Sequence, residues 1–150
     1  MSNFLRCVID ANVGIKRFIA DPLTPKVRQL FDTLYNTQTE IYIPDLFYIE
    51  ITNIFWKYVR AGLYSATQVQ SDLTTLKDFP LRVISTAELM GDAFQIAYNY
   101  QISAYDGAYV ALSERVKAPL LTLDRKLVNS LASSTYQVYF FADFSLSPFS

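Results

Sequence analysis

Residues 6–13 read RCVIDANV and residues 120–127 read LLTLDRKL. Each is a short apolar run closed by an aspartate, Asp10 or Asp124, that passes directly into a pattern with helical spacing. Near-continuous Val, Ile and Leu over a few residues is how a strand buried on both faces of a parallel sheet reads. The same alternation of short apolar runs and longer helical patterns extends outward from these two segments to both ends of the chain, which is the α/β signature. Strands are predicted near Arg6 to Ile9, Glu40 to Ile43, Leu81 to Ile84, Leu120 to Leu123 and Tyr136 to Phe141. Helices are predicted over Val13 to Ile19, Pro25 to Asn36, Leu46 to Ala61, Ala66 to Asp78, Ala87 to Tyr98, Tyr105 to Arg115 and Arg125 to Leu131. Pro44-Asp45 opens the third helix and Gly62 follows it, Ser65 caps the fourth, and Thr86 opens the fifth. With no repeat, linker or low-complexity segment, the expectation is one α/β domain over residues 1–150. It is a parallel, doubly wound sheet of about five strands with helices on both faces. Right-handed crossovers gather the carboxyl ends of such strands along one edge, where these sheets bind ligands.

Composition narrows the chemistry. There is no histidine in the 150 residues, so a Ser-His-Asp triad is impossible and any hydrolysis must activate water without imidazole. Cys7 is the only cysteine, which excludes an intrachain disulfide and a Cys-based structural zinc site and points to a small buried strand residue. Four glycines and no GxGxxG or GxxxxGK[ST] leave no phosphate-cradling loop. Arg6 and Asp10 interrupt the apolar stretch from Phe4 to Val13, and no later run approaches membrane-spanning length, so a cytoplasmic protein without membrane association is expected. The net charge of -1 argues against a general polyanion binder. Setting aside Asp10, Glu50, Asp106 and Asp124, however, leaves 13 basic against 10 acidic residues, a background that tolerates a phosphate backbone.

Those four carboxylates are the candidate site. Asp10 and Asp124 each stand at the carboxyl end of a predicted strand, where an aspartate is also a common helix N-cap. Glu50 shares a helical stripe with Leu46, Asn53, Ile54 and Lys57, and a carboxylate on a stripe that also carries core-facing residues needs a cation, either a basic side chain or a metal. Asp106, in AYDGAYVALSE, falls in the first turn of a helix, a favourable place for any acid. Tyr105, Tyr109 and Leu112 supply helix packing, while Gly107, Ala108 and Ala111 permit close approach, to the sheet or to something else. Oxygen-only donors suit hard ions such as Mg²⁺ or Mn²⁺. Asn12 and Thr122 are candidate hydrogen-bonding supports for Asp10 and Asp124, or simple local caps. Lys16, Arg17, Arg125 and Lys126 lie close in sequence to the acids and are candidate phosphate contacts, or ordinary solvated surface.

In this order, VIDANV, the Pro44-to-Glu50 segment, AYDGAYVAL and LLTLDRKL resemble the four acidic motifs of the PIN domain family, in particular its VapC-like toxins of toxin–antitoxin pairs, and the resemblance spans nearly the whole chain. It implies a metal-dependent endoribonuclease in which Asp10, Glu50 and Asp106 bind Mg²⁺ or Mn²⁺, Asp124 is a fourth acid, and Asn12 is the polar residue two places after the first. It also implies RNA as substrate, a small antitoxin partner seated in the groove, and a homodimer. Gly107 stands where the family has alanine; a glycine near a helix start costs under about 1 kcal/mol relative to alanine, so function is expected to survive. Independently of the family, Phe47, Tyr48, Ile51, Phe55, Trp56 and Tyr58 surround the third helix with more apolar surface than one sheet-facing stripe uses, predicting a second apolar face for a partner.

Two other functions compete. A catalytically silent RNA- or protein-binding module would keep the fold without cleavage, but the complete acid set argues against it. A phospho-accepting signalling domain also places Asp after a parallel strand, yet no paired acids adjoin Asp10.

Overall fold

The computed structural model describes residues 4–146. Five parallel strands, β1 (Arg6–Ile9), β2 (Glu40–Pro44), β3 (Arg82–Ile84), β4 (Leu120–Thr122) and β5 (Val138–Phe140), form one sheet in the order β3-β2-β1-β4-β5. Among the described residues the α-helices are α1 (Ala11–Gly14), α2 (Thr24–Asp32), α3 (Leu46–Arg60), α4 (Ala66–Asp78), α5 (Thr86–Tyr100), α6 (Ala104–Val116) and α7 (Arg125–Ser130). The chain therefore builds the sheet outward from β1 to one edge, returns through α5 and α6, and builds outward again from β4. With right-handed crossovers, reversal of direction puts α1 to α4 on one face and α5 to α7 on the other. The reversal lies between β1 and β4, where Val8 pairs Leu120 and Ile9 pairs Leu121.

The central strands carry the apolar runs because both their faces are covered: Cys7, Val8, Ile9, Leu120, Leu121 and Thr122 are fully buried. The edges read differently, with Arg82 and Val83 exposed on β3 and Tyr139 on β5, and a charged edge residue discourages pairing with a further strand. On α3 the residues Phe47, Ile51 and Phe55 recur every four positions and are fully buried, each contributing roughly 1.5–3 kcal/mol of burial. Of the apolar residues around this helix, Phe55 thus belongs to the core stripe, whereas Trp56 and Ile49 remain exposed.

Boundaries shift where local chemistry competes with periodicity. The first helix starts at Ala11 because the Asp10 carboxylate caps it, and it tightens into a 3₁₀ turn at Ile15–Arg17 instead of running to Ile19. Ser85, not Thr86, caps α5, accepting from the Ala87 amide, while the Asp45 carboxylate accepts from the Thr86 amide. Ser65 caps α4 as expected.

Gly107 is more than a tolerated replacement for alanine. A Cβ there would stand 2.4 Å from the Ala93 carbonyl oxygen, so α5 and α6 approach at this point only because α6 has no side chain. The neighbour admitted by the small residues of α6 is therefore α5 as well as the sheet.

Candidate functional site

The reversal between β1 and β4 places two strand ends side by side, and each ends in an aspartate that caps the next helix. Asp10 accepts from the Val13 amide at 3.1 Å and Asp124 from the Leu127 amide at 3.2 Å. The capping reading is therefore correct for both, and it leaves the second oxygen of Asp10 free for another task. That oxygen accepts from the Thr122 hydroxyl at 2.5 Å, while the same hydroxyl accepts from the Asp124 amide at 3.0 Å. Thr122 is fully buried and ties the two strand ends together. Its support thus goes to the carboxylate of Asp10 and the backbone of Asp124, not to the Asp124 carboxylate. Asn12 is exposed at the mouth of the cleft, and the Asp10 hydrogen bonds come from Val13 and Thr122.

The other two acids arrive from helices. Asp106 lies in the first turn of α6, its amide donating at 3.0 Å to Ser103, the N-cap. Glu50 projects from α3 beside the buried stripe and accepts at 2.6 Å from the hydroxyl of Tyr109, a residue of α6 that is 2% exposed. Tyr109 had a sequence reading as helix packing alone; it also positions Glu50. Asp10, Glu50 and Asp106 line one cleft of about 200 Å³ together with Asn53, Lys57 and Tyr109. Asp124 stays outside that lining and reaches the group through its charge, which raises the pKa of Asp106.

Like charge and burial dominate the electrostatics. Burial, reinforced by the negative charges of Asp106 and Glu50, pushes Asp10 up to about 7, against the opposing hydrogen bonds from Thr122 and Val13. Burial and then the charge of Asp106 raise Glu50, with the Tyr109 hydrogen bond opposing. Burial and then Asp124 raise Asp106, with Ser103 opposing. Among the described residues these are the three acidic side chains whose pKa is raised, and none of the four acids takes part in an ion pair.

Three of the four basic side chains near the acids in sequence are engaged elsewhere, and the fourth, Lys126, is exposed on α7 outside the cleft lining. Lys16 pairs with Asp21 at 2.9 Å, Arg17 lies over the rings of Phe18 and Phe79, and Arg125 lies 4.0 Å from the centre of the Phe140 ring with Asp143 at 3.7 Å. The cation lining the cleft is Lys57, about two turns along α3 from Glu50; helical spacing marked its stripe without marking its role.

Repelling carboxylates that no side-chain cation neutralises, all offering oxygen, suit a hard divalent ion. Among the described residues no three Asp, Glu, Cys or His side chains converge closely enough to enclose a metal by themselves. That spacing fits Mg²⁺ or Mn²⁺ chemistry, in which one or two protein carboxylates share the ion with several waters and substrate phosphate.

Comparison with known proteins identifies the family. Ribonuclease VapC3 of Pyrobaculum aerophilum is 35% identical over 125 residues, 82% of this chain and 92% of that protein. Three solved structures share the fold. PAE2754 from Pyrobaculum aerophilum superposes with a TM-score of 0.64 at 18% identity, covering 84% of this chain and 79% of its own. FitAcB from Neisseria gonorrhoeae gives 0.60 at 16% identity, with 92% and 99% covered. A toxin–antitoxin complex from Klebsiella pneumoniae gives 0.56 at 13% identity, with 89% and 96% covered. The family model described as the PIN domain matches residues 7–130, from the middle of β1 through α7 and across all four acids. This chain belongs to the PIN domain family.

Proposed function

We propose that the protein is a Mg²⁺- or Mn²⁺-dependent endoribonuclease, the toxin of a type II toxin–antitoxin pair, acting in the cytoplasm as a single nuclease domain over residues 1–150. The observation that carries this reading is the cleft itself: three carboxylates with raised pKa, from β1, α3 and α6, face one space, and none of them is ion-paired with the Lys57 that also lines it. The ribonuclease relative supports RNA as the substrate. The toxin–antitoxin neighbour supports a small antitoxin partner. A homodimer is part of the same proposal, and the exposed Met90, Phe94 and Tyr98 on α5 leave apolar surface for a protein partner.

Asp10, Glu50 and Asp106 would hold the ion between them, directly or through its bound waters, with Asp124 completing the negative rim. When bound, a divalent ion supplies Lewis acidity, lowering the pKa of water at the site and offsetting charge that builds on the phosphate. The chain's own residues do the positioning. Thr122 and the Val13 amide fix both oxygens of Asp10, Tyr109 fixes one oxygen of Glu50, and Ser103 holds the turn that presents Asp106. Lys57 offers a point charge to a phosphate entering the cleft.

The test is cleavage of end-labelled structured and single-stranded RNAs with and without Mn²⁺, comparing the protein with Asp10→Asn. Metal-dependent cutting that the variant loses, leaving 5′-phosphate and 3′-hydroxyl ends, is the expected result. Products ending in 2′,3′-cyclic phosphate would contradict water attack, and no cutting by a folded protein would favour the silent binding module.

A further inference from the structure

Beside the carboxylate cleft lies a larger hollow of about 570 Å³, and the two share the Glu50 and Asn53 of α3. Its walls are Ile49 and Trp56 from α3 and Tyr105 from the start of α6, and they remain 69%, 53% and 66% exposed. Large apolar side chains left this open on a chain with a complete core call for a function other than packing.

The helical spacing of α3 explains why the two spaces adjoin. Glu50, Asn53 and Lys57 form the stripe that faces the acids, while Ile49, Trp56 and Arg60 form the next stripe round the helix. Tyr105 immediately precedes Asp106, so the opposite wall of the hollow is one residue from the opposite wall of the cleft. The Arg60 guanidinium stands 5.7 Å from the centre of the Trp56 ring, and Lys57 lines the cleft. An aromatic floor, two flanking cations, the exposed Asn53 amide and the half-buried Thr52 hydroxyl, which donates to the Tyr48 carbonyl and keeps its lone pairs to accept, match an unstacked nucleotide: rings for the base face, cations for the backbone, and polar groups for the base edge.

We infer that this hollow is a nucleobase subsite, in which a base next to the scissile phosphate of a single-stranded RNA stacks on Trp56 and Tyr105. The inference rests on the ribonuclease reading and deepens it, since it assigns where a flanking nucleotide is held. Shared walls with the cleft and the neighbouring positive charges favour RNA over a protein segment, which would need only the apolar part of the surface.

Trp56 is the only tryptophan of the chain, so its fluorescence reports on this hollow alone. The experiment uses the Asp10→Asn protein with Mg²⁺, which keeps the RNA intact. Binding of labelled adenylate and uridylate octanucleotides is followed by anisotropy, and Trp56 emission is followed with the unlabelled oligomers and with an abasic phosphodiester of the same length. Saturable quenching by the base-bearing oligomers but not by the abasic one is expected. Trp56→Ala and Tyr105→Ala, each made in that background, should weaken binding roughly 5- to 150-fold, while Trp56→Phe and Tyr105→Phe retain most of it. Oligomers that bind by anisotropy, with emission unmoved and alanine variants unchanged, would overturn the subsite while leaving the ribonuclease reading intact. Equal quenching by the abasic oligomer would overturn it in favour of phosphate contact. Emission that moves with protein concentration and not with RNA would overturn it in favour of a protein interface. Failure of any oligomer to bind, together with failure of the native protein to cut RNA, would overturn both readings.

Discussion

Replacing Asp10 by asparagine should stabilise the metal-free protein at alkaline pH while destroying its activity. Asp10 is 7% exposed, and its pKa stands at about 7 where an ordinary aspartate has 3.8. A group with a raised folded pKa binds its proton more tightly in the folded state, so between 3.8 and 7 the folded state carries more protons than the unfolded one. Stability consequently falls as pH rises through that window and is flat above it. The displacement corresponds to about 4 kcal/mol for the fully ionised residue, and relaxation and water entry reduce it to about 2–4 kcal/mol. Asparagine keeps the oxygen that caps α1 and removes the charge. Urea unfolding in chelator at pH 8 should therefore show the variant more stable by that amount, or by roughly 5–15 °C in Tm for a chain of this size. At pH 5 the folded wild-type residue is protonated but the unfolded one is still ionised, so the difference should shrink to under about half, and it should close only below pH 3.8. Added Mn²⁺ should stabilise the wild type, by about 2.7 kcal/mol at a hundredfold excess over Kd, and leave the variant almost unmoved. A variant less stable at pH 8, or a difference that does not change with pH, would refute the claim that buried charge at Asp10 strains the fold.

Other substitutions separate positioning from packing. Tyr109→Phe removes the donor to Glu50 and should lower kcat/KM for RNA by roughly 10- to 100-fold, at a stability cost of only about 1–3 kcal/mol; an unchanged rate and unchanged Mn²⁺ affinity would show that Glu50 needs no such support. Gly107→Ala, which must push Cβ against the Ala93 carbonyl, should cost about 1–3 kcal/mol in denaturant unfolding. Gly91→Ala, on an exposed stretch of α5 where Cβ meets nothing within 4 Å, should instead add about 0.5–1 kcal/mol. Lys57→Ala should weaken RNA binding similarly across sequences and reduce the dependence of log Kd on log salt by about one ion, as read from titrations at several salt concentrations.

The sheet was legible wherever burial on both faces forced an unbroken apolar run. The run from Cys7 to Ile9 and the run from Leu120 to Thr122 carry their strand identity in composition alone, and β1 and β4 fall almost where they are expected. The aromatic segment from Tyr136 to Phe141 misled by continuing past its strand. Only Val138–Phe140 pairs with β4, while Phe141 enters the core through a 3₁₀ turn, and local periodicity carries no trace of that difference. In the site, Asp10, Glu50 and Asp106 were readable because each occupies a position where an unpartnered acid is costly or conspicuous. Tyr109 was not, because its partner lies 59 residues away and its hydroxyl looks like any other on a helix meant for packing. The same blindness hid the requirement for Gly107, whose constraint is set by a carbonyl on a different helix.

The way the fold holds its acids bears on what they are for. Elsewhere carboxylates meet cations or other donors in the ordinary way: Asp21 is bound by Lys16 and the Leu23 amide, Glu40 by Arg6 and Tyr42, and both pKa values are lowered. At the cleft the supports are neutral: a threonine hydroxyl, a tyrosine hydroxyl, a serine and the amides that open helices. Such groups orient an oxygen without cancelling its charge. A fixed lysine or arginine would stabilise the acids more, but it would also occupy the position proposed for a divalent ion and remove the negative potential that favours one. Lys57 comes near the acids without forming an ion pair with any of them, so it remains available to a phosphate. On the proposed ribonuclease reading, the stability that Asp10→Asn is expected to recover is thus the same free energy that a bound cation would recover in the wild-type chain.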